Sequence, residues 1–90
     1  MEGKQDKFFS FSIVTPEKII FQGKLLSLVV PCEGGYLGVL ASHAPLIANI
    51  VPGKIFLKEA TGTHQTIDSQ GNGFLEVLKN NVTMLLDRVE

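Results

Sequence analysis

An all-β domain with no substantial helix is what this chain predicts, on three features. Apolar and polar residues alternate in one segment after another, Gly or Pro interrupts the chain at roughly 6–12-residue spacing, and no long window keeps a 3.6-residue apolar repeat. Short strands with turns at that spacing form a sandwich or a flattened barrel, here of roughly eight to ten strands. The 90 residues make one domain. At this mass, folding removes roughly 64% of the unfolded chain's surface from water, enough for a modest independent core.

Residues 1–7 (MEGKQDK) are a polar N-terminal segment expected to fray, and residues 8–90 form the domain. In FFSFSIV, Phe9, Phe11 and Ile13 share one face and Ser10 and Ser12 the other, a strand that Thr15-Pro16 ends. Glu17–Gln22 is a second strand, closed by Gly23. Lys24–Val30 is a third, with Leu26, Leu28 and Val30 facing one way and Leu25, Ser27 and Val29 the other. So little of it is polar that both faces are expected to be covered, until Pro31 stops it. Tyr36–Leu40 and Leu46–Val51 are strands too short for stable helices, and Ser42-His43-Ala44-Pro45 loops between them.

Lys54–Glu59 alternates again, and Ala60-Thr61-Gly62 turns into Thr63–Ser69, a polar edge strand. Gln70-Gly71-Asn72-Gly73 is the strongest turn signal, because Asn and Gly both tolerate left-handed φ. Phe74–Leu78, a Lys79-Asn80-Asn81 turn and Val82–Leu86 complete the chain. Phe74, Leu75, Val77, Leu78, Val82, Met84, Leu85 and Leu86 are expected to supply much of the core.

Several function classes drop out. Eight basic residues against nine acidic give net −1, so no basic excess draws the chain to nucleic acid. No apolar run approaches the ~20 residues that span a bilayer, so any membrane association is expected through a partner. Cys32 is alone and has no internal partner, which suits a reducing compartment.

The run from Pro31 to Gly53 holds three of the four prolines and four of the nine glycines, and is otherwise apolar. A working surface is expected here, but not catalysis. His43 and His64 fall on different elements, and with Cys32 and Glu33 they lack the ordered spacing of a metal site. Ser42 beside His43 is not a nucleophile–base pair on spacing, since neighbouring residues point apart. Glu33 beside Cys32 is expected to raise the thiol pKa and blunt its reactivity. Gly34-Gly35 is followed by neither Lys-Ser/Thr nor a helix, and makes a tight corner instead of a phosphate loop. Catalytic residues, metal ligands and cofactors are therefore expected to be none. What remains is a module that presents a surface.

A family resemblance now becomes visible. Val14-Thr15-Pro16-Glu17, Phe21-x-Gly23, Glu33-Gly34, Leu37-Gly38-Val39-Leu40, His43-Ala44-Pro45-Leu46, Pro52-Gly53, Gly73-Phe74-Leu75-Glu76-Val77 and Asn81-Val82-Thr83 occur in that order. No one motif is specific. Their order and spacing, from about Phe8 to Val89, resemble the N-terminal domain of the epsilon subunit of F-type ATP synthase, called delta in mitochondria. The resemblance implies a ten-stranded β-sandwich in the central stalk of the rotary motor. Such a domain clamps the gamma subunit, rests on the c-ring and turns with them, coupling proton translocation to ATP synthesis without chemistry of its own. It further implies a place peripheral to the cell inner or thylakoid membrane, on the cytoplasmic or stromal side.

Carried over residue by residue, Glu33, Gly34, Gly35, Tyr36 and Gly38 become the c-ring-facing loop. Ser42, His43, Ala44 and Pro45 become a neighbouring surface near gamma or the ring. Three departures stand out. Ala41-Ser42 replaces the family's Pro-Gly before His-Ala-Pro, Gly35 looks inserted, and Tyr36 stands where an acidic residue is common. An aromatic anchor there substitutes packing for a salt-sensitive pair. Bacterial epsilons also continue into a C-terminal helical hairpin, whereas this sequence stops at Arg88-Val89-Glu90, either as a short natural protein or as a truncation. The alternative function is a stand-alone small-ligand-binding β module. It requires an aromatic-lined pocket, and the chain has no Trp and one Tyr.

Overall fold

The computed structural model describes residues 7–89, so most of the expected polar segment (residues 1–6) and Glu90 lie outside the described residues. Eight strands and no helix make up the described chain: β1 (Phe9–Val14), β2 (Ile19–Cys32), β3 (Gly35–Leu40), β4 (Leu46–Ile50), β5 (Gly53–Glu59), β6 (His64–Ser69), β7 (Gly73–Leu78) and β8 (Asn81–Leu86). The pairing order is β1-β8-β7-β4-β2-β5-β6, with β3 on β2 and a further β1–β2 pairing that brings the sheet back on itself. The two layers enclose one core of Phe9, Phe11, Ile13, Leu25, Leu28, Val30, Val39, Ile50, Ile55, Leu57, Leu75, Val77, Val82, Met84 and Leu86.

Eight strands stand where ten were expected, and β2 is the main reason. Gly23 does not close a strand. Its backbone stays extended opposite Phe11, so the expected second and third strands are one run of 14 residues. A Cβ there would touch the Phe21 ring at 3.4 Å, and Phe21 in turn packs on Phe11 with ring centroids 5.9 Å apart. The first half of β2 pairs with β1 and the second with β5 and β3. At the handover the register shifts between Leu25 and Ser27. An extra residue in one strand turns the following side chains over. Leu25 therefore joins Leu28 and Val30 in the core while Leu26 stays partly exposed, a correction to the expected face.

Pro31 does not stop β2 either. It lies within the strand opposite Tyr36, and its carbonyl accepts the Val51 N–H at 3.0 Å. Its missing N–H is tolerated because pairing to β5 ends at Val29 and pairing to β4 is made at Cys32. Two turns meet expectation: Gly62 (φ +96) joins β5 to β6, and Lys79-Asn80 (φ +49 and +61) joins β7 to β8 with both central residues left-handed.

Gln70–Gly73 makes no hairpin. β7 pairs with β4 and β8, not with β6, so this segment carries the chain from one layer to the other. It lies along the end of the chain. Gln70 N–H donates to Val89 O (2.6 Å), Asn72 N–H to Asp87 Oδ1 (3.0 Å) and Asp87 N–H to Asn72 O (2.9 Å). Gly71 N–H donates to the hydroxyl of Ser69, itself fully buried. Neither glycine has positive φ; what they supply is space. A Cβ on Gly71 would strike Arg88 O, and one on Gly73 would strike Leu85 O.

Gly73→Ala is accordingly expected to destabilise the domain by about 3 kcal/mol through forced backbone displacement. Gly34→Ala, where a Cβ meets nothing within 4 Å, is expected to stay within about 0.5 kcal/mol of the parent. Urea titration of the two variants measures the difference.

Candidate docking surface

The two expected site segments lie at opposite ends of β3. The first is the β2–β3 corner. There Cys32 faces Gly35, Glu33-Gly34 forms the turn, and Gly35 takes φ +124. The corner is tied to β4, since Glu33 N–H donates to Asn49 O (3.1 Å) and Asn49 Nδ2 donates to Glu33 Oε1 (3.2 Å). Tyr36 is 60% exposed and its ring sits 6.3 Å from that of Phe56 on the outer surface. Gly38 is exposed further along the strand.

The second segment is the loop from Ser42 to Pro45. Ser42 adopts φ +64, a left-handed conformation at a non-glycine residue, and Asn80 compensates by accepting its N–H at Oδ1 (2.8 Å). Asn80 also donates through Nδ2 to Phe8 O (2.7 Å), so one side chain on the β7–β8 turn pins both the loop and the entry to β1. His43 N–H donates to Leu40 O (3.3 Å), and Nδ1 lies 2.7 Å from Ala44 O, a contact that places the ring proton on Nδ1. The imidazole is thus engaged with its own loop. His64 stands on β6, a different element, and no group of three or more His, Cys, Asp or Glu among the described residues could hold a metal ion. The thiol pKa of Cys32 is raised, as expected, but by burial and not by the Glu33 charge.

Between these segments runs a surface that sequence reasoning missed. Ile47 on β4, Phe74 and Leu78 on β7 and Leu85 on β8 are 72, 55, 47 and 48% exposed. The registers oppose Phe74 directly to Leu85 and set Ile47 opposite Glu76, diagonal to Phe74 and Leu78, so the apolar residues surround that carboxylate on one face. An open groove of about 400 Å³ between Val14, Pro16, Phe74 and Leu85 extends the apolar surface toward the end of β1. Phe74, Leu78 and Leu85 were expected in the core. They are excluded because alternation outranks hydrophobicity: Phe74, Glu76 and Leu78 share one face, and Leu75 and Val77 take the inner one. The signal was in the sequence. Glu76 marks the outer face of β7, and Asn81 and Thr83 mark that of β8.

Three kinds of similarity bear on this geometry. The family described as "ATP synthase, Delta/Epsilon chain, beta-sandwich domain" matches residues 8–90. An ATP synthase epsilon chain of Dichelobacter nodosus is 37% identical over 79 residues, covering 88% of this chain and 54% of that protein. One of Chlorobaculum tepidum is 38% identical over 84 residues, covering 93% and 94%, and one of Leptospira borgpetersenii is 40% identical over 76 residues, covering 84% and 58%. Two of these three relatives are thus much longer than this chain. Among solved structures, a chain of the Euglena gracilis mitochondrial ATP synthase (OSCP/F1/c-ring) superposes with a TM-score of 0.86 at 18% identity, over 98% of this chain and 56% of that one. A chain of the Tetrahymena thermophila mitochondrial ATP synthase central stalk/c-ring does so with 0.70 at 15%, over 93% and 66%.

Asn80→Gly keeps the left-handed turn but removes both side-chain bonds, and is expected to cost about 1–3 kcal/mol. Faster hydrogen exchange at the Ser42 amide, with the β2 amides unchanged, checks that the loss is local.

Proposed function

This chain belongs to the ATP synthase delta/epsilon β-sandwich family, and from that premise we propose that it is a central-stalk rotor subunit of an F-type ATP synthase. In this role it joins a gamma subunit to the c-ring, couples proton translocation to ATP synthesis and performs no bond chemistry itself. It meets the membrane only through the complex, at the cell inner or thylakoid membrane on the cytoplasmic or stromal side. No helix among the described residues is long and apolar enough to cross a bilayer.

The observation that carries the reading is the exposed apolar face of β4, β7 and β8. Isolated exposed apolar residues are ordinary, but four large ones together on the outside of one sheet mark a surface that a partner covers. We assign this face, with Ser42–Pro45 at its edge, to the gamma subunit. The corner of Glu33, Gly34, Gly35, Tyr36 and Gly38 is assigned to the c-ring. Both sit on paired strands and tight turns, so the contacts are held by a body that resists shear. Torque can cross such a body with little loss in bending.

The purified chain is expected to bind the isolated gamma subunit, and Ile47→Asp and Phe74→Asp are each expected to weaken binding at least about tenfold, or ~1.4 kcal/mol. Both positions are exposed, so far-UV circular dichroism and melting temperature should stay at parental values. Parental affinity in both variants would remove gamma from this face.

A further inference from the structure

Among the described residues the sheet has two unequal edges. β6 is one. It carries Asp68, whose carboxylate is 3.0 Å from Lys54 Nζ, and Gln65, hydrogen-bonded to Glu59, and such polar and charged side chains blunt a strand against foreign pairing. β3 is the other. Among the described residues it pairs with β2 alone, and its sequence, GYLGVL, contains no charge and no proline.

Which backbone groups β3 leaves unused follows from Pro31. In an antiparallel ladder, opposed residues alternate between pairs that exchange two hydrogen bonds and pairs that exchange none. Pro31 has no N–H, so its pair with Tyr36 belongs to the second kind. By alternation so do Val29–Gly38 and Ser27–Leu40. The N–H and C=O groups of Tyr36, Gly38 and Leu40 therefore point away from β2. Among the described residues, only the Leu40 carbonyl of these has another partner, the N–H of His43, and it retains a second lone pair. Gly38 has no side chain, so its exposure is exposure of the backbone itself.

We infer that this edge pairs with the same edge of a second copy of the chain, antiparallel about a two-fold axis at Gly38. The register is self-complementary. Gly38 faces Gly38 of the second copy, and Tyr36 faces its Leu40, so every outward group meets its counterpart. The interface is isologous and closes at two copies. It also brings together Tyr36 and Leu40, 60 and 64% exposed in the single chain. Glycine at the axis keeps side chains from holding the strands apart. A seam of about five residues a side is small beside the ~20–30 of a standard interface, so the dimer dissociates on dilution. Since Tyr36 and Gly38 also lie in the corner assigned to the c-ring, the dimer is a state of the free chain, exclusive of assembly.

The inference is independent of the rotor reading, because its readout is the mass of the chain in solution. Sedimentation velocity from about 10 μM to about 1 mM should show the weight-average mass rising toward twice that of the chain. Gly38→Lys, where a Cβ meets nothing within 4 Å, sets like charges face to face at the axis and should hold the chain monomeric without lowering its melting temperature. Gly38→Cys in a Cys32→Ser background should oxidise to a covalent dimer, since Cα atoms ~5.5 Å apart suit a disulfide, whereas Gln65→Cys on β6 should not. A mass that stays monomeric throughout overturns the inference. So does a dimer undiminished by Gly38→Lys, or equal cross-linking at both cysteines; if Gly38→Lys lowers the melting temperature, the cysteine pair decides.

Discussion

The fold depends on one strand meeting hydrogen-bond demands on both of its edges. Over its 14 residues β2 pairs with β1, β3, β4 and β5, so removing it would leave both layers without a shared member. Buried backbone N–H and C=O groups must be paired, and a strand placed between layers can satisfy them only by changing partners along its length. Leu25 shows the handover, since it pairs with Phe9 of β1 on one side and Glu59 of β5 on the other. The register shift after Leu25 re-aims the side chains, so that Leu25, Leu28 and Val30 all reach the core.

Closure at the other end uses the chain termini. β1 runs parallel to β8, so the first strand and the last lie side by side. The Gly71–Gly73 crossing lies directly on the chain after Leu85, with no room for even a methyl group. The β1–β8 pairing joins residues far apart in sequence and cannot form until most of the chain is in place, whereas the Gly71–Gly73 contacts are local to the β7–β8 end.

The surface follows from the same geometry as the core. A strand in a two-layer fold has one inner face, and a residue on the outer face stays exposed however apolar it is. That is why Phe74, Leu78 and Leu85 lie outside while Leu75, Val77, Met84 and Leu86 lie inside. Across β4, β7 and β8 the outer apolar residues lie opposite or diagonal to one another, Phe74 against Leu85 and Ile47 beside Glu76 between Phe74 and Leu78. They form a patch because the ladder aligns them. In the same way, Pro31, tolerated where β2 changes partners, determines which backbone groups β3 presents to solvent.

Much was legible without coordinates. The alternation of Phe9, Phe11 and Ile13 and of Ile55 and Leu57 predicted strands and their buried faces, because period two is a local property of extended backbone. Lys79-Asn80 predicted its turn, and the ordered motifs predicted the family. The expected site segments were located in sequence, but not the face between them, because hydrophobic identity was taken for burial at Phe74, Leu78 and Leu85. Gly23, Pro31 and Gln70–Gly73 misled for a common reason. Glycine and proline permit a break without requiring one, and whether the chain continues depends on neighbours tens of residues away. The sequence alone determined the strand periodicity, the absence of helix among the described residues and the family. Only the tertiary structure decided where β2 changes partners, which apolar residues face solvent and which edge stays open, since each depends on pairing between distant segments that no local pattern encodes.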